Sequence, residues 1–155
     1  MKREVVVVAG CRTAQGTFGG TLRDVPAHEL VRTPLQQVVA RAGVPAEVID
    51  NVIVGQVYQT SQALNIGRMS ALVAGWPETV CGTTVDRQCG SSMQAAFNAT
   101  AAVQAGHLDV VVAAGVESMS RVPMGSNLTT GGFEGFSPLL YERWEIVPQG
   151  ISAEV

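Results

Sequence analysis

The sequence has few charged residues, few aromatic residues and little histidine. Charged residues make up 15% of the 155 positions and aromatic residues 5%, whereas 46% are hydrophobic. This balance excludes an intrinsically disordered chain, because disorder requires low hydrophobicity together with high net charge. The net charge is −3, and no stretch of the chain is strongly basic. We therefore expect neither nucleic acid nor an anionic membrane surface as a partner.

The sequence also lacks a long hydrophobic run and a paired set of cysteines. No apolar segment approaches the roughly 20 residues of a membrane span, and the run at 5–9 is too short for a signal peptide, so we expect a cytoplasmic protein. The three cysteines, Cys11, Cys81 and Cys89, are odd in number and include no C-x-x-C pair. A disulfide framework or a thiolate metal site is therefore not expected.

Strand-like and helix-like segments alternate along most of the chain. Helices are predicted at 27–42, 65–74 and 90–105, and strands at 5–9, 52–54, 81–85 and 110–114. The first and last of these strands are apolar at every position, which is typical of a parallel sheet covered on both faces. The fold class is therefore α/β, with a mainly parallel sheet and helices on both faces. After Gly115 the pattern changes to loop or insertion, rich in glycine and proline.

Two of the predicted helices carry features of their own. Pro34 falls inside the first one, and a proline in a helix interior costs about 3 kcal/mol. We therefore expect this helix to be split, with Thr33 as a cap and Pro34 at the first position of the main part. The helix at 90–105 is rich in alanine around most of its circumference, which predicts burial on several sides.

Cys89 is the strongest candidate for a chemical role. It lies between the predicted strand at 81–85 and the predicted helix at 90–105, and the first turn of a helix favours an anion such as a thiolate. A nucleophile there also requires a base. His107 lies beyond the far end of the helix, about 27 Å away at 1.5 Å per residue, and His28 is typical of a surface or capping residue. Either Cys89 is structural, or another segment supplies its base.

Other residues that could take part in chemistry have more ordinary interpretations. We expect Cys11 and Cys81 to be core residues, because they adjoin predicted strands. Glu117 follows the strand at 110–114, on the side of a parallel sheet where ligands usually bind, although a solvated or ion-paired carboxylate is the commoner outcome. The loop at 16–20 matches neither the dinucleotide fingerprint nor the phosphate loop.

The segment around Cys89, VDRQCGSSMQA at 85–95, closely resembles the acyl-enzyme cysteine motif of thiolases. Three supporting stretches follow the order of that family, namely Arg12-Thr13, PAHEL at 26–30 and GVESMS at 115–120. The resemblance implies that Cys89 is the catalytic nucleophile, which takes an acyl group from a 3-ketoacyl-CoA and passes it to coenzyme A. It also implies that coenzyme A is a substrate, that no cofactor is bound covalently, and that the backbone N–H of Cys89 contributes to an oxyanion hole.

The same resemblance implies that only the N-terminal half of the layered thiolase fold is present. Residues 1–118 would form the N-terminal α/β domain, and 119–155 would begin the inserted loop domain, which is truncated. The family's activating histidine and second cysteine lie in the other half. The chain alone is therefore expected to turn over no substrate, unless a second chain supplies that half. The complete enzyme is expected to act in fatty acid metabolism. A homodimer or tetramer is expected, with dimer contacts through 81–85.

Sequence departures from the family pattern concern three positions. Asp86 stands where many members have Asn, and Ser92 where many have Gly. Gln149 stands where the family often has Met, near the pantetheine of the bound substrate, and is therefore a candidate substrate-binding residue. Two other functions stay open, a non-catalytic subunit that lends a thiolase-like surface to a partner, and another condensing enzyme such as a ketosynthase.

Overall fold

Three parallel strands and three helices form the part of the chain that holds Cys89. In a computed structural model that describes residues 3–59, 64–126 and 136–154, the chain divides into two compact units, Met1–Pro123 and Met124–Val155. The first unit contains, in chain order, α1 (Ala27–Ala42), a 3-10 turn (Ala46–Val48), β1 (Asn51–Gly55), α2 (Ile66–Val73), β2 (Cys81–Val85), α3 (Ser91–Ala105) and β3 (Val111–Gly115).

The sheet has the order β2-β1-β3, with β1 parallel to both neighbours. Gly55, the last residue of β1, pairs with Val85 on one side and with Gly115 on the other. Because all three strands run in the same direction, their carboxyl ends lie at one edge of the sheet. The segments that follow the strands, including the one with Cys89, therefore leave the sheet at that edge.

Helices cover both faces of the sheet, as the strand pattern predicts. On one face, Val52 and Val54 pack in a core with residues of α1 and α2. On the other face, α3 contacts β1 and β3. The buried core consists of Ala27, Val31, Leu35, Ile49, Val52, Val54, Ile66, Ala71, Ala74, Trp76 and Val80. Burial of each large side chain contributes about 1.5–3 kcal/mol, so this core holds the two helices against the sheet.

Asp50 fixes the beginning of the β1–β3 pair. Its carboxylate accepts the backbone N–H groups of Asp109, at 2.7 Å, and Val110, at 2.9 Å, and its own N–H donates to Val110 O at 2.9 Å. These hydrogen bonds lower the pKa of Asp50 below its usual value. The ionised side chain thus ties the start of β3 to the start of β1.

The prediction of a strand at residues 5–9 is wrong for this structure. Residues 5–9 have no strand assignment, and Val6, Val7 and Val8 are 68%, 92% and 70% exposed. A strand exists only when its backbone pairs with a neighbour, and an apolar pattern does not supply that neighbour. A cavity of about 650 Å³, bordered by Ala9 and by Val112 of β3 among other residues, lies beside this segment.

The predicted break at Pro34 is also wrong, because α1 continues from Ala27 to Ala42 with Pro34 inside it. Val31 and Leu35 flank the proline and are only 3% and 1% exposed. Burial of these two side chains contributes about as much free energy as an interior proline costs. Tertiary packing therefore overrides the local preference.

The alanine-rich helix α3 is buried on one side only, so the expectation of burial on several sides is wrong for this chain. Ser91 and Ala95 are its buried residues, and they belong to the side that contacts the sheet. Met93 and Phe97 are 59% and 53% exposed. Among the residues described, no second layer covers this outer face.

The described residues of the second unit include two short helices, α4 (Pro138–Arg143) and α5 (Gln149–Ala153). Both lie in the region that the sequence assigns to loop or insertion, and neither contains a buried residue. Across the described parts of the chain, no helix has the length and apolar content required to cross a membrane.

We expect Gly55→Ala to destabilise the protein by about 1–3 kcal/mol, the usual cost of overpacking a tight contact. A Cβ at Gly55 would lie 2.4 Å from the backbone of Ser91 and Ser92, which cannot move without displacing α3. Gly10→Ala is the matched control, because a Cβ there meets nothing within 4 Å. Chemical denaturation measures both. Equal effects of the two substitutions would contradict this account of how α3 rests on β1.

Candidate active site

Cys89 lies in the turn between β2 and α3 and is exposed. Gly90 is the N-cap residue of α3, with Ser91 as the first helical residue. Among the described residues, no acceptor lies within hydrogen-bonding geometry of the Cys89 N–H. The thiol and its own amide are therefore both available at the start of a helix, where an anion is stabilised.

The turn that carries Cys89 is held by short polar contacts. Asp86 Oδ1 accepts the N–H of Gln88 at 2.9 Å. Ser91 Oγ donates to Gln88 O at 2.6 Å and accepts the N–H of Arg87 at 2.9 Å. Gln88 has a left-handed backbone, at φ 50°, and a non-glycine residue in this conformation needs such support. These contacts were not predicted from the sequence, although the Asp-x-x-Cys-Gly-Ser spacing is the signal that could have revealed them.

Two glycines let the first turn of α3 lie directly on the sheet. A Cβ at Gly55 would lie 2.4 Å from the backbone atoms of Ser91 and Ser92, and one at Gly115 would meet the side chain of Ser92. Both glycines are the last residues of their strands. The height of the Cys89 turn above the sheet is therefore set by the absence of side chains at the ends of β1 and β3.

Glu117 binds two backbone N–H groups and forms no ion pair among the described residues, so the ion pair that was one of its ordinary interpretations is not observed. Its two carboxylate oxygens accept the N–H of Val57 at 2.8 Å and that of Tyr58 at 3.2 Å. Burial raises the pKa of Glu117 above its usual value and the nearby Asp86 charge raises it further, while the two backbone hydrogen bonds oppose the shift. Asp86 and Glu117 thus lie close enough at this edge of the sheet to interact.

The other two cysteines have different environments. Cys11 is half-buried, and its thiol donates to Pro34 O at 3.1 Å, in keeping with its expected packing role. Cys81 is exposed at the start of the edge strand β2, so the expectation of a core position is wrong for it. Edge position explains the difference, because one side of β2 has no neighbouring strand among the described residues.

Neither histidine is brought to Cys89 by an observed contact. His107 is exposed and follows α3, so a helix about 22 Å long separates it from Cys89. His28 is half-buried in the first turn of α1. It is not the cap, because Pro26 holds that position, and its Nδ1 is buried without a hydrogen-bond partner in the described part of the chain. The structure therefore leaves the base unassigned.

Gln149, the candidate substrate-binding residue, is the first residue of α5 and is exposed. It belongs to the unit Met124–Val155, whereas Cys89 belongs to Met1–Pro123. Its proximity to the thiol therefore stays a prediction. The cavity beside β3 does not replace it as a substrate site, because Cys89 is not among the residues that line the cavity.

Comparison with known proteins agrees with the motif around Cys89. Residues 5–136 match the family model for the thiolase N-terminal domain. An acetyl-CoA acetyltransferase of Syntrophomonas wolfei is 42% identical over 123 residues, which cover 79% of this chain and 31% of that protein. A beta-ketoadipyl-CoA thiolase of Escherichia coli is 41% identical over 133 residues, which cover 84% of this chain and 33% of that protein.

A solved structure shows the same similarity. The crystal structure of the Bacillus anthracis acetyl-CoA acetyltransferase matches 77% of this chain with a TM-score of 0.76 and 45% identity, and the match covers 30% of that chain. This chain belongs to the thiolase family and has the fold of its N-terminal part. It spans about a third of the length of the relatives that it matches.

The raised pKa of Glu117 predicts a specific pH dependence of stability. The folded chain holds the Glu117 proton more tightly than the unfolded chain does. The stabilising contribution of this proton is therefore present below the ordinary glutamate pKa of 4.5 and is lost as pH rises through the higher folded pKa. We expect the stability difference between the unaltered chain and Glu117→Gln to change in this direction between about pH 4 and about pH 7. Denaturation at each pH measures it, and an opposite slope would refute the assignment.

Proposed function

We propose that the chain supplies the nucleophile of a thiolase that transfers acyl groups between coenzyme A thioesters. The observation that carries this proposal is the exposed Cys89 at the start of α3, inside the segment that matches the thiolase family. The names of the relatives support coenzyme A thioesters as the substrate class.

In the proposed reaction, the Cys89 thiolate attacks the 3-keto carbon of a 3-ketoacyl-CoA. A bond forms between Sγ and that carbon, and the oxygen takes up negative charge beside the N–H of Cys89. When the carbonyl reforms, the bond between the second and third carbons breaks, and acetyl-CoA leaves after it takes up a proton. The thiol of free coenzyme A then attacks the acyl-cysteine, which releases the shortened acyl-CoA and restores Cys89. Condensation follows the same steps in reverse.

The remaining catalytic roles require residues that this chain would not supply by itself. The histidine that activates Cys89 and the acid–base cysteine would come from polypeptide corresponding to the remainder of a longer thiolase. Gln149 would border the substrate, in the region that begins the inserted loop domain after residue 118. We also propose a cytoplasmic protein that forms a homodimer or tetramer, with contacts through β2, whose Cys81 and Thr83 are exposed.

Thiol labelling tests the assignment of Cys89 directly. We expect iodoacetamide to modify Cys89 at least about fivefold faster than Cys81. A helix N-terminus stabilises a negative charge by roughly 1 kcal/mol, and the proposed dimer contact through β2 would slow the reaction of Cys81 further. Cys11 is expected to react slowest, since it is half-buried and hydrogen-bonded. Acetyl-CoA should protect Cys89 and leave Cys81 unprotected. Peptide mass spectrometry measures all three rates in one sample, with Cys81 as the internal control.

Equal rates for Cys89 and Cys81, without protection by acetyl-CoA, would instead support the non-catalytic subunit. Protection by malonyl-CoA or a malonylated carrier, but not by acetyl-CoA, would favour a ketosynthase-like condensing enzyme.

Turnover tests whether the chain needs a second polypeptide. We expect the 155-residue chain to leave acetoacetyl-CoA intact in the presence of coenzyme A, because neither histidine contacts Cys89 in the described part of the structure. Addition of a polypeptide that corresponds to the remainder of a thiolase should produce acetyl-CoA, and Cys89→Ala should abolish that activity in the same mixture. Turnover by the purified chain alone would show that the base lies within it.

A further inference from the structure

Glu117 is a half-buried carboxylate that the proposed chemistry does not use. It lies two residues beyond the end of β3, and it binds the N–H groups of Val57 and Tyr58, which lie just beyond the end of β1. Within the described residues its side chain forms no ion pair. The carboxylate therefore acts on the backbone of a neighbouring segment and not on a charged partner.

The hydrogen bonds of Glu117 continue a set of contacts that joins the ends of all three strands. Gln56 N donates to Val85 O at 3.0 Å, which ties β1 to β2, and Val116 N donates to Gly55 O at 3.1 Å, which ties β3 to β1. The bonds from Val57 and Tyr58 to Glu117 extend the second of these ties beyond the regular sheet. Val85 is followed directly by Asp86, the residue that supports the Cys89 turn.

The first turn of α3 rests on the two strand ends that Glu117 joins. A Cβ at Gly55 would overlap the backbone of Ser91 and Ser92, and a Cβ at Gly115 would overlap the side chain of Ser92. A shift of one strand end against the other would therefore be transmitted to Ser91 and Ser92, and these residues follow Cys89 by two and three positions. The position of the thiol thus depends on the relative position of the two strand ends.

We propose that Glu117 is a positioning residue for Cys89, whose carboxylate locks the segments after β1 and β3 together beneath the first turn of α3. The assignment rests on the proposed role of Cys89 as the nucleophile. Glu117 does not touch the reacting atoms. It fixes the strand ends on which the start of α3 packs, so that the thiol and the N–H of Cys89 keep a fixed position relative to the substrate.

Three variants separate this role from a general structural one. Glu117→Ala removes both acceptor oxygens, whereas Glu117→Gln keeps one carbonyl oxygen and is the conservative variant. Glu78→Ala is the matched control, because it removes an exposed glutamate side chain elsewhere in the same unit. Each variant is compared by the ratio of the Cys89 and Cys81 alkylation rates and by amide hydrogen exchange, under conditions where denaturation shows the protein to be folded.

We expect Glu117→Ala to speed exchange of the Val57 and Tyr58 amides on the order of tenfold, the effect of losing a hydrogen bond to a charged group. The amides of Asp50 and Cys81, at the opposite end of the sheet, should keep their exchange rates. The Cys89 to Cys81 ratio should fall at least about threefold, as expected when an ordered helix start is lost. Glu117→Gln should restore part of both effects, and Glu78→Ala should change neither.

An unchanged alkylation ratio in Glu117→Ala would overturn the proposal, whatever the ratio is in the unaltered chain. Faster exchange throughout the sheet would also overturn it, because Glu117 would then support the whole fold. Failure of the proposed function gives a different result, since it is seen in the unaltered chain as a Cys89 that acetyl-CoA does not protect.

Discussion

The close contact between the start of α3 and the ends of β1 and β3 is the constraint on which the rest of this structure depends. Gly55 lies directly against the backbone of Ser91 and Ser92, and Gly115 lies against the side chain of Ser92. A side chain at either glycine would therefore displace the start of α3 from the sheet. Cys89 precedes that start, so its exposure follows from the contact below it. The proposed nucleophile is therefore positioned by two glycines, which carry no reactive group.

Carboxylates stabilise both ends of the β1–β3 pair, with opposite electrostatic consequences. Asp50 is exposed, so its backbone hydrogen bonds dominate and lower its pKa. Glu117 makes the same kind of bonds in a half-buried position, where loss of solvation outweighs them and its pKa rises. The edge that holds the candidate active site thus carries a charge that is costly to maintain. The opposite edge carries one that stabilises the fold.

Much of the fold could be predicted from the sequence, because the strongest signals are local. The strand at 81–85 is predicted with its observed ends. The helix predicted at 65–74 is also present, and Asn65 caps it by accepting the N–H of Arg68. Residues 5–9 show where such reasoning fails. Their composition is typical of a strand, but a strand requires a pairing partner, and composition does not reveal one. The predicted helix break at Pro34 fails for a different reason, because burial of the neighbouring side chains outweighs the unfavourable effect of proline in a helix interior.

The candidate site, too, could be predicted from the sequence only in part. The position of Cys89 at a strand-to-helix turn could be predicted, because the strand, turn and helix are contiguous in the sequence. The contact between Glu117 and Val57 could not, since 60 positions separate the two residues and only the sheet brings them together. Cys81 was expected in the core because a strand begins there. The sequence does not show that this strand lies at the edge of the sheet.

The central claim, that Cys89 carries the acyl group, is tested most directly by locating that group during turnover. The chain is mixed with polypeptide that supplies the rest of a thiolase, incubated with acetyl-CoA, quenched in acid, and digested for peptide mass spectrometry. The account predicts one acetyl group on the peptide that contains Cys89, which is removed when free coenzyme A is added before the quench. An acetyl group on any other residue, or none on Cys89 while the mixture is active, would contradict it.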